Sequence, residues 1–238
     1  KIQCQLCPHQ CQLQEGKAGL CGVRFNIGGR IKNRQQGLVS GMATDPIEKN
    51  PLYHYYPGKE ILSIGSFGCN LSCNFCQNWQ ISQVTEIEFL HGKVLTAEEI
   101  VNKALEIPNN IGIAFTYNEP TVWFEFMYEV ATMAKTHGLK TVMVSNGYIE
   151  AEPLEALIPV IDAFNIDLKS FDAETHKRLT GAELEPVKKT LSAIRESGKH
   201  LEITSLIIPG NNDDPSDMRS QARWIASELG EETPFHIS

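Results

Sequence analysis

Three cysteines, Cys69, Cys73 and Cys76, lie close together directly after the apolar run Ile61–Phe67. A [4Fe–4S] cube normally takes one thiolate on each of its four irons. Three cysteines in one short loop can hold three of these irons and leave the last one open to a ligand that is not protein. An open metal position distinguishes catalytic sites from closed structural ones. The spacing therefore predicts a catalytic iron–sulfur site.

Two other interpretations of this loop have to be weighed. Free cysteine is among the most buried residue types, so the three cysteines could be inert small hydrophobes. However, Gly, Asn, Ser and Gln surround them, which suits a polar loop better than a core strand. Zinc is the second alternative, but zinc ligands usually come as two pairs of cysteines or as Cys and His together.

The other four cysteines, Cys4, Cys7, Cys11 and Cys21, all lie within the first 21 residues. A total of seven that divides into four and three argues against a secreted disulfide framework and for metal ligation in a reducing compartment. Four thiolates make a closed site, either tetrahedral zinc or an auxiliary [4Fe–4S] cluster. The spacing alone leaves both open. We expect a structural metal site, because so short and polar a segment lacks the apolar area to fold unaided.

The composition bounds the class of protein. A chain of 238 residues with 42% hydrophobic residues can bury one large core and still carry a small extra module. The net charge of −8, with acids and bases interspersed, argues against a nucleic-acid partner. No apolar stretch approaches the length of a membrane span and no signal peptide pattern is present, so we expect no membrane partner and a cytoplasmic location. The chain lacks an initiator Met and stops within a strand pattern, so we expect a fragment.

The sequence predicts two domains. Residues 1–58 form a Cys- and Gly-rich entry module, in which Gly28-Gly29 predicts the turn of a β-hairpin. The stretch from Asp45 to Gly58 is too rich in proline for regular structure, and we expect its aromatic side chains to pack the module onto the rest of the protein. Residues 59–238 form the core domain.

The core domain alternates strand and helix patterns. Thr96 and Glu99 predict a capping box, and Asp214-Pro215 predicts the start of the last helix. Repeated strand–helix units predict an α/β fold, which either curls into a barrel or opens into a doubly wound sheet. Near-continuous apolar runs predict the buried strands Ile61–Ser66, Ile111–Tyr117, Lys140–Ser145, Ala163–Leu168, His200–Ile208 and Phe235–Ser238.

Polar residues lie at or near the ends of these predicted strands. In barrels and in open sheets alike, ligands gather at the carboxyl ends of parallel strands. Any one polar residue could be a solvated loop residue, and Asp167 with Lys169 could be an exposed ion pair of little energetic worth. Several of them arriving at the face that carries the three cysteines predict one site. Its candidate residues are Asn118, Glu119, Ser145, Asn146, Asp167, Lys169 and His236.

The C-x3-C-x2-C spacing, with Phe75 directly before the last cysteine, resembles the motif of the radical S-adenosylmethionine (SAM) superfamily. From about Glu60 onward the chain is similar to glycyl-radical-enzyme activases such as pyruvate formate-lyase activating enzyme. The whole chain, with its N-terminal cysteines and Asp45-Pro-Ile-Glu-Lys, resembles the radical SAM member of the AmmeMemoRadiSam group. This resemblance covers nearly all of the chain. It implies a partial (β/α)6 TIM-like barrel with a small Cys-rich N-terminal module.

The resemblance also implies roles for the strand-end residues. In this superfamily the open iron is chelated by the amino and carboxylate groups of SAM. Tyr117-Asn118-Glu119 stands in place of a Gly-Gly-Glu stretch, so Glu119 would bind the SAM amino group. Ser145-Asn146 falls where these enzymes carry a motif near the SAM ribose and carboxylate.

Three further residues match the family's motifs. An Asp-Leu-Lys motif is retained, so Lys169 would balance the SAM carboxylate while Asp167 orients its neighbours. His236 would approach the adenine, and Phe75 would shield it.

The reaction that the resemblance implies is reductive cleavage of SAM to methionine and a 5′-deoxyadenosyl radical, which abstracts a hydrogen atom from a substrate. The implied cofactors are a [4Fe–4S] cluster and SAM. The implied partners are a reductant such as flavodoxin or ferredoxin, and a protein substrate. Activases act on a glycine of a partner protein, but the altered motifs and the cysteine module favour a different target.

Two other classes of protein remain open. An electron carrier with two iron–sulfur clusters would leave Glu119, Lys169 and His236 without a role. A zinc-dependent binding module would contain no iron.

Overall fold

A computed structural model describes residues 1–84 and 91–238. The chain begins with two short antiparallel strand pairs, β1 (Ile2–Gln3) with β2 (Gln12–Leu13), and β3 (Arg24–Ile27) with β4 (Arg30–Asn33). The second pair confirms the predicted hairpin. Gly28 and Gly29 at its turn have φ values of 62° and 71°, which glycine adopts without steric cost.

The prediction that the stretch from Asp45 is irregular is wrong at its start. After β5 (Leu38–Val39), strand β6 (Gly41–Pro46) includes Asp45 and Pro46, and a 3₁₀ turn follows at Ile47–Lys49. Pro46 is tolerated because β6 lies at the edge of its sheet, where a missing N–H breaks no ladder. β6 pairs antiparallel with β7 (Glu60–Gly65), so residues before 58 contribute to the main sheet. The domain boundary at residue 58 stays a prediction.

The remaining elements alternate as the sequence predicts. A short helix and a short strand come first, α1 (Trp79–Ser82) and β8 (Lys93–Val94), and β8 pairs with β5. A 3₁₀ turn at Pro120–Trp123 precedes α3, and a π-helical turn at Ile225–Leu229 follows α7. The other elements are α2 (Ala97–Glu106), β9 (Asn110–Phe115), α3 (Phe124–Thr136), β10 (Lys140–Ser145), α4 (Ala151–Leu157), β11 (Ala163–Asp167), α5 (Ala173–Thr180), α6 (Leu184–Glu196), β12 (His200–Ser205), α7 (Pro215–Trp224) and β13 (Phe235–Ile237).

The main sheet has the strand order β13-β12-β11-β10-β9-β7-β6. Its six strands from β7 to β13 are parallel and adjacent in chain order, whereas β6 is antiparallel. A doubly wound sheet would reverse the strand order at a switch point, and this sheet does not. The fold is therefore α/β with the strand order of a partial TIM-like barrel, as predicted.

Helix boundaries follow the predicted signals. The Thr96 hydroxyl accepts a hydrogen bond from the Glu99 N–H, and the Glu99 carboxylate accepts one from the Thr96 N–H, which is the predicted capping box. Asp214 caps α7 by accepting from the Ser216 N–H. Within the described residues, every helix is too short or too polar to span a bilayer.

One face of the sheet packs on helices, and the other receives a segment of the chain that we call the plug segment (Ile47–Tyr56). Its side chains Ile47 and Leu52 are completely buried. They form a separate core cluster with the inward-facing strand residues Ile61, Ala114, Val142 and Ala163. The plug segment therefore packs the N-terminal residues onto the core domain through these aliphatic side chains. Of the aromatic side chains predicted for this role, Tyr55 packs against the cluster, whereas Tyr53 and Tyr56 are exposed.

Candidate active site

The three predicted cluster ligands lie on the three-cysteine loop (Ser66–Asn78), which joins β7 to α1 at the carboxyl end of the parallel strands. Cys69, Cys73 and Cys76 are all partly exposed. The Cys69 Sγ accepts hydrogen bonds from the Leu71 N–H at 3.3 Å and from the Asn146 amide at 3.7 Å. Such donors stabilise the thiolate form that a metal requires.

Two buried amide side chains hold the beginning of this loop. The Gln35 amide donates to the Phe67 carbonyl at 2.7 Å and accepts from the Phe67 N–H at 3.1 Å. Asn118 accepts from the Ser66 N–H and donates to the Gly68 carbonyl, both at 2.9 Å. These four bonds fix consecutive residues of the loop before the first cysteine. Asn118, predicted as a SAM contact, is thus engaged by the backbone of the loop.

Burial dominates the acidity of Cys69 and Cys73. It raises the pKa of Cys69, and the neighbouring carboxylate of Glu119 adds to the effect. Burial also raises the pKa of Cys73 to about 11, although the positive charge of Lys169 opposes the shift. These thiols must therefore lose protons when they bind a metal.

Glu119 joins the ends of β9 and β10. It is 3% exposed, and its two carboxylate oxygens accept hydrogen bonds from the Thr121 N–H, the Ser145 hydroxyl and the Asn146 N–H at 2.8–2.9 Å. Burial raises its pKa, while these donors oppose the shift. Glu119 thereby orients Asn146, whose amide reaches the Cys69 sulfur. The structure brings Glu119, Ser145, Asn146 and Cys69 together, and direct contact of Glu119 with SAM stays a prediction.

Asp167 and Lys169 form an ion pair at the end of β11, with Lys169 Nζ 2.8 Å from Asp167 Oδ2. The same Nζ lies 5.8 Å from the centre of the Phe75 ring in the three-cysteine loop. Burial alone would lower the pKa of Lys169, but the charges of Asp167 and Cys73 outweigh it and raise the pKa. A partly buried lysine that stays protonated can bind an anion at this edge of the sheet.

His236 contacts a different set of residues. Its Nε2 lies 2.6 Å from Oε2 of the completely buried Glu202, and its ring packs 4.9 Å from that of Tyr53 in the plug segment. Among the described residues, the contacts of His236 are with the plug segment and β12 and not with the three-cysteine loop. Its role beside adenine stays a prediction.

Cys4, Cys7, Cys11 and Cys21 line one cavity beside the 3₁₀ turn that follows Glu119. Burial raises the pKa of Cys7 to about 12, and the His9 N–H and the Asn70 side chain oppose this shift. Burial also raises the pKa of Cys21, opposed by the backbone N–H groups of Val23 and Arg24. The structure thus brings the four predicted ligands of the second metal site together.

The donors at the three-cysteine loop fit a [4Fe–4S] cluster better than a single ion. Over residues 1–84 and 91–238, no group of three or more His, Cys, Asp or Glu side chains draws close enough to hold one metal ion. A cube requires a wider arrangement, because each thiolate binds its own iron. Three partly exposed thiols, N–H donors to the Cys69 sulfur and the cation Lys169 beside them suit such an anionic cluster.

The three cysteines thus lie on the loop after the first parallel strand of a barrel-type sheet. Residues 63–221 match the family described as the Radical SAM superfamily, which is more than half of the chain. The chain therefore belongs to the radical SAM superfamily. The family implies a [4Fe–4S] cluster and SAM as cofactors.

Known proteins similar to the chain agree with this assignment. An uncharacterized protein of Methanocaldococcus jannaschii is 43% identical over all 238 residues, which span 70% of that protein. The pyruvate formate-lyase-activating enzyme of Listeria monocytogenes is 27% identical over 66% of the chain and 66% of its own length. The benzylsuccinate synthase activating enzyme of Thauera aromatica is 23% identical over 81% of the chain and 59% of its own length.

Similarity to solved structures supports the fold of the chain but not a function. Native anSMEcpe with bound AdoMet has a TM-score of 0.56 at 16% identity, over 72% of the chain and 50% of its own. Streptococcus suis SuiB has the same TM-score and identity, over 73% of the chain and 37% of its own.

Several residues that shape the site escaped the sequence analysis. Gln35 and Asn70 lie in polar segments where nothing distinguishes them from solvated residues. Arg24 and Glu202 carried a signal, since each stands between two hydrophobic residues and a charged residue is seldom buried without a partner. Tyr117 also carried a signal, since it stands where the family motif has a glycine, and its backbone has the left-handed φ of 70° that glycine favours.

Proposed function

We propose that the chain holds a [4Fe–4S] cluster at Cys69, Cys73 and Cys76, binds SAM at the same site, and generates a radical that abstracts a hydrogen atom from a substrate. The three-cysteine loop, held at the carboxyl end of β7 by Gln35 and Asn118, carries the proposal. When bound, the reduced cluster supplies the electron that cleaves the sulfonium of SAM. The chain's own side chains bind SAM, orient it and shield it.

Lys169 is the residue that we assign to the carboxylate of SAM. It keeps its proton because Asp167 balances its charge, and it lies beside Phe75 in the three-cysteine loop. A charge-assisted hydrogen bond from such a donor contributes about 1.5–3 kcal/mol. Phe75 offers an apolar ring at the same edge of the site, which suits a flat adenine.

Glu119 positions the other wall of the site. By accepting from the Ser145 hydroxyl and the Asn146 N–H, it holds the Asn146 amide toward Cys69. Donors to a ligand sulfur stabilise the more negative, reduced form of a cluster, so Asn146 would raise the reduction potential. We also assign the carboxylate of Glu119, which lies near Cys69, to the SAM amino group.

The names of several relatives support a protein substrate. Two of them, at 27% and 23% identity, are named as activating enzymes of pyruvate formate-lyase and benzylsuccinate synthase. We propose that this chain is activase-like in abstracting hydrogen from a protein, and that flavodoxin or ferredoxin reduces it. Tyr117 replaces a glycine of the activase motif, which supports a target other than those two enzymes.

The test is SAM affinity measured by isothermal titration calorimetry on anaerobically reconstituted protein. Lys169→Met keeps most of the side-chain volume but removes the charge, so we expect SAM binding to weaken about tenfold to a hundredfold. Iron content should stay at the wild-type value. Lys177→Ala is the control, because it removes an exposed lysine whose ion-pair partner, Glu183, is also exposed. Equal affinity of wild type and Lys169→Met would remove Lys169 from the site, and no SAM binding by wild type would contradict the function.

A further inference from the structure

The four N-terminal cysteines surround one cavity. Its remaining wall comes from the apolar side chains Leu6, Leu20 and Val122, from Gly19, and from the polar residues His9, Arg24 and Thr121. Gly19 adds no side chain, and a Cβ built there would stand 3.4 Å from the Cys11 sulfur. The thiols therefore face an apolar space that is closed on most sides by the module and by the turn after Glu119.

We infer that this cavity holds a second [4Fe–4S] cluster, bound by Cys4, Cys7, Cys11 and Cys21 and hydrogen-bonded by Arg24. A zinc ion with Zn–S bonds of about 2.3 Å requires its four sulfurs to lie within about 4 Å of one another. No such convergence of three or more ligands occurs in the described parts of the chain. Thiols spaced around a cavity are the arrangement of a cube, in which each sulfur binds a different iron.

Arg24 provides an independent observation. The residue is 6% exposed, and its two Nη groups donate to the Glu125 carboxylate at 2.8 and 2.6 Å. Its Nε is buried and has no hydrogen-bond partner among the described residues. Because Glu125 occupies both Nη groups, the Nε–H points away from Glu125, and Arg24 is part of the cavity wall.

An unpaired donor of a guanidinium group is costly to bury unless an acceptor meets it. A four-thiolate [4Fe–4S] cluster is anionic and presents both sulfides and thiolates as acceptors. Arg24 would donate to one of these sulfurs and offset part of the charge. A single zinc ion would present only the thiolates themselves.

The second site adjoins the first. His9, in the cavity wall, has its Nε2 2.8 Å from the backbone carbonyl of Asn70, and Asn70 follows the cluster ligand Cys69. The two backbones also meet closely, since a Cβ on Gly68 would lie 2.7 Å from the Cys21 carbonyl. One layer of residues therefore separates the two sites, and we expect two reduced clusters to couple magnetically.

The inference is independent of SAM chemistry, and a variant that lacks the first cluster tests it alone. After anaerobic reconstitution with iron and sulfide, Cys69→Ala/Cys73→Ala/Cys76→Ala is expected to bind about four irons and four sulfides per chain. Wild type is expected to bind about eight irons. Dithionite should bleach the visible band of the triple variant and produce an electron paramagnetic resonance signal.

One zinc per triple-variant chain, or no metal, would overturn the inference. If the triple variant does not fold, the metal content of the wild-type protein tests the inference instead. About four irons and one zinc per wild-type chain would overturn the inference. The electron paramagnetic resonance measurement also tests whether the sites are adjacent. We expect spin coupling between the two reduced clusters in wild type and none in the triple variant, which keeps only one cluster.

Arg24 is tested in the triple-variant background. Arg24→Lys keeps a cation for Glu125 but lacks the Nε–H, so we expect unchanged iron content and a lower reduction potential. The reduced-to-oxidised ratio at a fixed potential should fall about tenfold, equivalent to about 59 mV for a one-electron couple. Arg30→Lys, at the exposed hairpin turn, is the matched control. An unchanged potential in Arg24→Lys would overturn the hydrogen bond from Arg24.

Discussion

The Tyr117 hydroxyl donates a hydrogen bond to Asp45 Oδ2 over 2.7 Å, and Lys49 holds the other oxygen of that carboxylate at 2.6 Å. Tyr117 has a φ of 70°, which costs a non-glycine residue about 1–2 kcal/mol. The hydrogen bond to Asp45 on β6 offsets that cost. The turn that carries Asn118 and Glu119 is therefore stabilised by the edge strand contributed by the N-terminal residues.

Removal of the Tyr117 hydroxyl should destabilise the protein. A hydrogen bond to a charged group contributes about 1.5–3 kcal/mol, so we expect Tyr117→Phe to lower the free energy of unfolding in urea by about that amount. Tyr53→Phe is the control, because Tyr53 is 52% exposed and its change should be within about 0.5 kcal/mol. Equal stability of the two variants would show that the hydroxyl does not hold the turn.

The plug segment should confer a dependence of stability on pH. Glu202 is completely buried and accepts from the Tyr53 and His54 N–H groups, while His200 and His236 lie within hydrogen-bond distance. Burial opposes ionisation, but these partners outweigh it and lower the pKa of Glu202 from 4.5 to about 2. A depressed pKa stabilises the fold fully above the unfolded value, and this contribution is lost as pH falls through the folded value.

We therefore expect the free energy of unfolding to fall between pH 4.5 and about 2, with Glu202 contributing to the slope. Glu202→Gln should destabilise the protein at pH 7 by about 1–3 kcal/mol, because it leaves buried donors unpaired. It should also flatten the slope in that window, measured by urea unfolding at several pH values. Glu228→Gln, on an exposed side chain, controls for the loss of one carboxylate. A slope identical to wild type would exclude Glu202 as its source.

Gln35 and its neighbour Gln36 provide a matched pair for the three-cysteine loop. Gln35→Ala removes both hydrogen bonds to Phe67, so we expect the free energy of unfolding to fall by about 1–3 kcal/mol. We also expect reconstituted iron to be lost more quickly to a chelator. Gln36 is exposed, and Gln36→Ala should behave as wild type. The same rate of iron loss in both variants would mean that the amide of Gln35 does not hold the loop.

The strands and the location of the three cysteines could be predicted because their determinants are local. Apolar runs such as Lys140–Ser145 match the observed strand residue for residue. Others were predicted too long, since β9 ends at Phe115 and β12 at Ser205. Side chains of the residues that follow are still partly buried, but their backbones leave the sheet, as at Tyr117 with its positive φ.

The contacts between the main sheet and the plug segment could not be predicted from the sequence. The contacts of Glu202 with Tyr53 and His54 join residues about 150 positions apart, and no local pattern encodes such pairs. The orientation of Asn118 was also beyond the sequence, because its side chain binds the backbone of Ser66 and Gly68 about 50 positions away. Contacts that depend on tertiary packing become visible only in the fold.

The most direct test of the central claim is the release of 5′-deoxyadenosine. Anaerobically reconstituted protein is incubated with SAM and dithionite, and the products are separated by liquid chromatography. We expect 5′-deoxyadenosine and methionine from wild type, none without dithionite, and none from Cys69→Ser, Cys73→Ser or Cys76→Ser. An iron-containing wild type that leaves SAM intact would indicate an electron carrier. SAM cleavage by a variant with all three serines would show that the three-cysteine loop is not the catalytic site.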